Sequence, residues 1–212
     1  LRWTRRSPRH YTHSLSTAKT GNRRRISDGH AVDQTPSISP TDRMDDLLQR
    51  LPGARRALFS AFHVGGCQSC AYRDEETLAE VCTNHGLEIE EASPLLESHQ
   101  HDQTMLLDPV SLFAKHNAGE AILLVDTRTR EEHEAVTIAG SQLMTQELQQ
   151  SLFATPPEQS IVLYDHSGRN VLDHCAWFRG HGLKNTFALT GGIDAWSRDV
   201  DPSLPRYRLE ME

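Results

Sequence analysis

Between residues 106 and 206 short aliphatic runs alternate with helical patterns, and this alternation constrains the fold more than any other feature of the chain. Ala121-Ile-Leu-Leu-Val125 and Ser160-Ile-Val-Leu-Tyr164 are nearly continuous apolar runs, the pattern of strands buried on both faces of a parallel sheet. Met105-Leu-Leu107 predicts a further short strand and Thr186-Phe-Ala-Leu189 the last one, ahead of Gly191-Gly192. Helical patterns lie between them: Pro109–His116 behind an Asp108 cap, and Asn170–His181 ending at Gly182. Strand and helix in this rhythm predict an α/β domain over 106–206, a parallel sheet flanked by helices on both faces. Ligands of such sheets sit at the carboxyl ends of the strands, so the loop after Tyr164 is where chemistry is expected.

Residues 44–98 read differently. Met44–Leu51 and Pro52–Phe62 have helical apolar spacing, and the second run stops at His63-Val-Gly-Gly. Asp74–His85 is expected to be a helix with acids in its first turn and Gly86 after its end. A third pattern follows near Ile89–Ser98, restarted at Ser93-Pro94. A small all-α domain over 44–98 is therefore expected, joined by a polar linker, 99–105, in which His99 and His101 are read as solvated.

The charge is unevenly spread. Residues 1–43 hold nine Lys/Arg against three Asp/Glu, whereas the rest of the chain holds thirteen against twenty-six. The first segment lacks apolar periodicity and cannot offset the entropy of ordering. It reads as a disordered basic tail; its opening at Leu1, ahead of the patterned helix at Met44, also fits a start-site artefact, and its lack of acids before Asp28 fits a mitochondrial transit segment. The net charge of −7 argues against a general nucleic-acid binder. The longest aliphatic run is far short of the ~20 residues of a membrane helix. Four cysteines in 212 residues are too few for a disulfide scaffold and fit a reducing, cytoplasmic setting.

Gly66-Cys67-x-x-Cys70, then Glu76-Thr-Leu-x-Glu-x-Cys82 and Gly86-Leu87, resembles the small DUF1858/ScdA-N-type helical domains. That resemblance implies company with redox or iron–sulfur repair modules. The residues themselves leave three readings open for the pair. Cys67 and Cys70 are redox-active or persulfide-carrying thiols, or an inert structural pair, or half of a metal or iron–sulfur site completed from Cys82, His63 and His85. Their glycine-containing loop predicts fast alkylation. Cys82 shares the helix face of Leu78 and Val81, which favours core packing. No cofactor is required by any feature of the chain.

Four ordered stretches in the second half resemble the rhodanese-like (sulfurtransferase) domain: Asp126-x-Arg128 followed by Glu131-Glu132, Ile138-Ala-Gly140, the loop Tyr164-Asp-His-Ser-Gly-Arg-Asn170, and Leu189-Thr-Gly-Gly-Ile-Asp-Ala-Trp196. The resemblance implies a loop whose N–H groups cradle a catalytic cysteine sulfur, with an arginine five residues on. Here those two positions are Asp165 and Asn170, with Arg169 displaced by one and Gly168 kept for the turn. Asp165 has no sulfur to form a persulfide, and its carboxylate is expected to accept the loop's N–H bonds itself. No catalytic residue is expected in the degenerate loop Asp165, His166, Ser167, Gly168, Arg169 and Asn170. Cys175 lies on the apolar face of the next helix, and Asp126 with Arg128 reads as a local structural pair. The expected function is thus a catalytically inactive rhodanese-like module that binds a protein partner in sulfur or redox metabolism, with no nucleic-acid or membrane role. The alternatives are sulfur or electron transfer at Cys67/Cys70 and a metal-binding regulator.

Overall fold

The computed structural model describes residues 38–66, 70–97 and 101–207. Cys67, His99 and the first 37 residues of the expected tail lie outside them. The helical segment opens before Met44. Ile38 packs on its core, the Asp42 carboxylate accepts from Ser39 N at 2.9 Å, and the Asp42 carbonyl accepts from Leu78 N at 2.9 Å. The boundary expected at 43 is corrected on those contacts.

Four helices follow: α1 (Met44–Arg50), α2 (Ala54–Phe62), α3 (Leu78–His85) and α4 (Ile89–Glu97). Helix α3 starts later than its acid-rich pattern predicts, because Thr77 and Glu80 form a capping box that fixes the entry more strongly than acids alone do. Helix α4 runs through Pro94 without restarting. Ala92 and Leu96 on its inner face are buried with Met44, Leu47, Leu58, Leu78 and Val81, and this packing outweighs the lost backbone bond.

The connector is not a solvated linker. Asp102–Met105 forms a 3-10 turn, and Met105 is buried in the core of the second half. That half contains β1 (Leu106–Leu107), α5 (Pro109–Asn117), β2 (Ile122–Asp126), α6 (Arg130–Ala135), β3 (Gln142–Leu143), α7 (Gln146–Ala154), β4 (Ser160–Tyr164), α8 (Val171–Gly180), β5 (Thr186–Leu189) and α9 (Gly192–Asp199). The strands form one parallel sheet in the order β1-β5-β4-β2-β3. The side-chain period of 2 sorts β4 between the two faces. Ile161 and Leu163 pack with Val171, Cys175 and Phe178 of α8, while Val162 and Tyr164 pack with Leu112 of α5 and Ile193 and Trp196 of α9. Helices cover both faces, as the apolar runs require.

Helical segment and sheet domain lie in one compact unit spanning Gln34–Glu212. Helix α2 runs against α8, so the first half rests on the helix that follows the Tyr164 loop. No helix among the described residues is long and apolar enough to cross a membrane.

Candidate functional site

The site is built where β4 ends. Tyr164 is fully buried, and its hydroxyl donates to Asp126 Oδ2 at 2.9 Å and lies 2.8 Å from Ser141 Oγ. Burial of a tyrosine this complete needs such partners for the hydroxyl. The backbone turns immediately afterwards into the loop Asp165–Asn170.

The Asp165 carboxylate faces back into its own loop. Oδ1 accepts from Ser167 N at 3.0 Å and from Gly168 N. Oδ2 accepts from Asn170 N at 2.9 Å and Val171 N at 3.1 Å, the latter being the first residue of α8. Loop nest and helix start together form the kind of N–H concavity that holds anions, and a side chain of the protein occupies it. This is the arrangement the sequence leads one to expect from Asp165.

The loop is also fixed from outside. Ile193 N donates to Asp165 O at 3.0 Å and Asp194 N to His166 O at 3.1 Å, which uses the first N–H groups of α9. Gly168 has φ +79°, and a Cβ there would collide with the Gly191 backbone, so glycine is required on both conformational and steric grounds. Arg169 and Asn170 point to solvent, and neither side chain replaces the arginine that the resemblance places over this loop.

His166 is drawn into the packing around the loop. It is half-buried, its ring stacks against Tyr207 with centroids 4.5 Å apart, and its Nδ1 is buried without a hydrogen-bond partner among the described residues. The C-terminal segment crossing the loop could not be inferred from periodicity, since Pro205-Arg-Tyr207 has none. Tyr207 donates to Glu132 Oε1 at 2.8 Å and accepts from Arg128 Nη1 at 2.6 Å. Burial and the Glu132 bond push its hydroxyl up to about 12. Arg206 pairs with Asp194 at 2.7 Å. His166, Asp194, Arg206 and Tyr207, with Asp108 and Arg198, line an open cleft of about 490 Å³ above the loop.

Beneath it lies a buried ionic core. Arg128 donates to both carboxylate oxygens of Asp126, at 2.9 and 2.6 Å, and to Val136 O at 2.7 Å. His133 Nδ1 is 2.8 Å from Asp126 Oδ2. Burial pushes the Asp126 carboxyl up, but the bonds from Arg128 and His133 outweigh it and hold it below the usual carboxylate range. The pair is structural: it supports β4 and the loop from below and does not open into the cleft.

Residues 110–199 match the rhodanese-like domain family. Among curated proteins, the chain is similar to the probable adenylyltransferase/sulfurtransferase MoeZ of Mycobacterium tuberculosis (strain ATCC 25618 / H37Rv), at 30% identity over 94 residues, 43% of this chain and 24% of that protein. It is also similar to the Rhodanese-like/PpiC domain-containing protein 12, chloroplastic, of Arabidopsis thaliana, at 38% identity over 52 residues, 24% of this chain and 17% of that protein. The chain thus spans about a quarter or less of the length of the curated relatives it matches. Solved structures with a similar arrangement include a rhodanese-like domain protein from Staphylococcus aureus, 18% identical, TM-score 0.40, covering 49% of this chain and 98% of that one. The rhodanese-like domain of the Anabaena sp. protein Alr3790 is 18% identical, TM-score 0.41, covering 51% of this chain and 89% of that one.

Cys70 is placed differently from the sequence expectation, whereas Cys82 and Cys175 are in the core as expected. Cys70 is only 5% exposed, and its carbonyl accepts from Gly65 N at 2.7 Å, so the expected fast alkylation is corrected for this residue. Cys82 is buried in the helical core with Leu78 and Val81. His63 closes α2 with φ +60°, and its Nδ1 lies 2.9 Å from Gly180 O on α8. Among the described residues, no group of three or more His, Cys, Asp or Glu side chains is arranged to hold a metal ion. Cys82 does not join Cys70 and His63 in such a set, because its helix face is committed to the core. Cys175 is fully buried, its Sγ donates to Thr186 O at 3.2 Å, and burial pushes its thiol up to about 12.

Proposed function

We propose that the rhodanese-like domain of this chain is a binding module in sulfur or redox metabolism, serving a protein partner in the cytoplasm, and not a sulfur-transferring enzyme. The observation that carries this reading is the Asp165 carboxylate seated on four N–H groups of the loop. Persulfide transfer needs a thiolate there to attack a sulfane sulfur and hold it covalently, and an aspartate has no sulfur to supply. Its charge also occupies the concavity that would accept an anionic donor and repels thiosulfate at short range. The exposed Asn170 side chain adds no compensating cation. Sulfur or electron transfer at Cys67/Cys70, and a metal-dependent regulator using Cys67, Cys70, Cys82 and His63, have less support, since Cys70 and Cys82 are both buried.

The test is sulfur transfer from thiosulfate to cyanide by the full chain, with persulfide mapped by mass. Wild-type protein should place no persulfide within residues 110–199. Asp165→Cys should accept sulfur at that position, and adding Asn170→Arg should raise turnover about ten- to a hundredfold, the worth of one charge-assisted contact in the transition state. Robust transfer by the wild type that survives Cys67→Ser and Cys70→Ser together would overturn the reading.

A further inference from the structure

The seam between the helical segment and the rhodanese-like domain contains a polar cluster that the site does not use. His101 caps the connector turn Asp102–Met105, and its Nε2 lies 2.6 Å from Ser60 Oγ on α2. Ser60 is itself buried. Ser60 Oγ also lies 3.4 Å from Ala57 O; the far shorter contact with His101 fits the hydroxyl donating to a neutral imidazole in preference to that carbonyl. Cations surround the pair. Arg56 of α2 binds Asp102 at 2.7 Å and Asp173 of α8 at 2.9 Å. Arg179 of α8 donates to Thr104 O at 2.9 Å, and Lys184 donates to Ser60 O at 2.9 Å. Among the described residues, α4 presents the apolar Leu95 and Leu96 to this corner, across a cavity of about 80 Å³ that His101 and Asp102 also line. Among the described residues the anions facing it are Asp102 and, through Arg56, Asp173, and both are already paired with that guanidinium.

We propose that this seam is a proton-operated latch: His101 holds the connector against α2 as a neutral acceptor, and its protonation loosens the helical segment from α8. An imidazolium would lose its acceptor role toward Ser60 and add a third kind of cation to a corner that holds Arg56, Arg179 and Lys184. The neighbouring cavity is large enough for water to enter and solvate the charged ring. The sign follows from burial, which, helped by Arg179 and Arg56 and opposed by Asp102, holds the imidazole below its ordinary value. The released form titrates near the ordinary histidine value of about 6.5, so it takes up a proton first. Docking is therefore fully present above that pH and weakens as the pH falls through it. Helix α8 starts on the Asp165 carboxylate, so the latch controls how firmly the Asp165 loop and the helical segment act as one body.

The experiment is hydrogen exchange on the full chain at pH 7.5 and 5.5, corrected for intrinsic rates. Protection of α2 and of the connector should fall roughly fivefold on acidification, while β2 and β4 stay protected; a titrating group couples with such a factor over one pH unit. His101→Gln, which keeps a hydrogen-bonding side chain but cannot titrate, should hold the seam equally at both pH values. The same pH dependence in His101→Gln would overturn the proposal, as would its loss in His63→Gln or His181→Gln, where His101 is intact. If His101→Gln does not fold, the wild-type protein decides. The His101 ring and the α2 backbone amides should titrate with one midpoint by NMR, and separate midpoints would overturn the proposal.

Discussion

Gly180 on α8 meets Phe59 on α2 with no room for a side chain: a Cβ would fall 2.6 Å from Phe59 Cε1 and 2.7 Å from the Phe59 carbonyl oxygen. His63 bonds the Gly180 carbonyl from the same side. Backbone contact this close joins the helical segment to the rhodanese-like domain through packing, in addition to the charged residues around His101.

Gly180→Val should therefore separate the two helices. Overpacking a tight contact costs about 1–3 kcal/mol, which exceeds the ~1 kcal/mol that a better helix former than glycine returns. Thermal unfolding should shift down by several degrees, about 2–4 °C per kcal/mol in a chain of this size. Exchange in α2 should rise before exchange in the sheet. An unchanged melting curve would mean that the helices part without cost.

A second expectation concerns Asp126 and Arg128. Both are buried, at 0% and 9% exposure, and removing one partner leaves the other charged and unpaired. Asp126→Ala should cost about 3–5 kcal/mol, read as a lowered denaturation midpoint. The pH dependence has a definite sign. Because the folded carboxyl is held below its usual range, its contribution is complete above the ordinary aspartate value of about 3.9 and is lost as pH falls through the folded value. Acid unfolding curves of wild type and Asp126→Ala should converge at low pH.

Much of this was legible in the sequence, for physical reasons that differ by residue. Ile122–Asp126 and Ser160–Tyr164 are apolar on both faces, and only a covered parallel sheet satisfies that. Asp165 was legible because a carboxylate after a strand, ahead of a glycine turn and a helix, finds N–H groups wherever the loop closes. The seam was not legible. His101 and Ser60 are 41 positions apart, and nothing in a polar stretch shows that it will be wedged between two helices. Arg56 carries no local sign of its two distant carboxylates. Tyr207 lies in a segment without periodicity, and only the tertiary fold brings its ring onto His166. The start of α3 was misplaced because first-turn acids are a weaker marker than a Thr-x-x-Glu box.

The cysteines give a third expectation. Cys70, Cys82 and Cys175 are at most 5% exposed, and burial raises the thiols of Cys82 and Cys175, which lowers their thiolate fraction. Under native conditions all three should alkylate at rates set by opening of the structure, Cys175 slowest. Mass mapping after short iodoacetamide pulses reads this directly. Rapid labelling of Cys175 would place a reactive thiol beside the loop and reopen catalysis there.

The last expectation addresses the nest itself. Asp165→Ala removes the carboxylate that four N–H groups share and leaves those donors without a partner at the start of α8. The variant should lose about 1–3 kcal/mol, the range for stranding hydrogen-bonding groups, and the loss should be smaller where water reaches the exposed Ser167 and Asn170 amides. An external anion should then take the vacated place, since helix start and loop amides attract negative charge without reference to its source. Sulfate should raise the melting temperature of Asp165→Ala in a concentration-dependent way, as binding to the folded state alone requires. Wild-type protein should show only the general salt effect, and sodium chloride at matched ionic strength separates the two. A folded variant with no specific response to sulfate would mean that the loop collapses once its carboxylate is gone. In that case the aspartate would be the scaffold of the rhodanese-like loop, and not a plug in a site that exists without it.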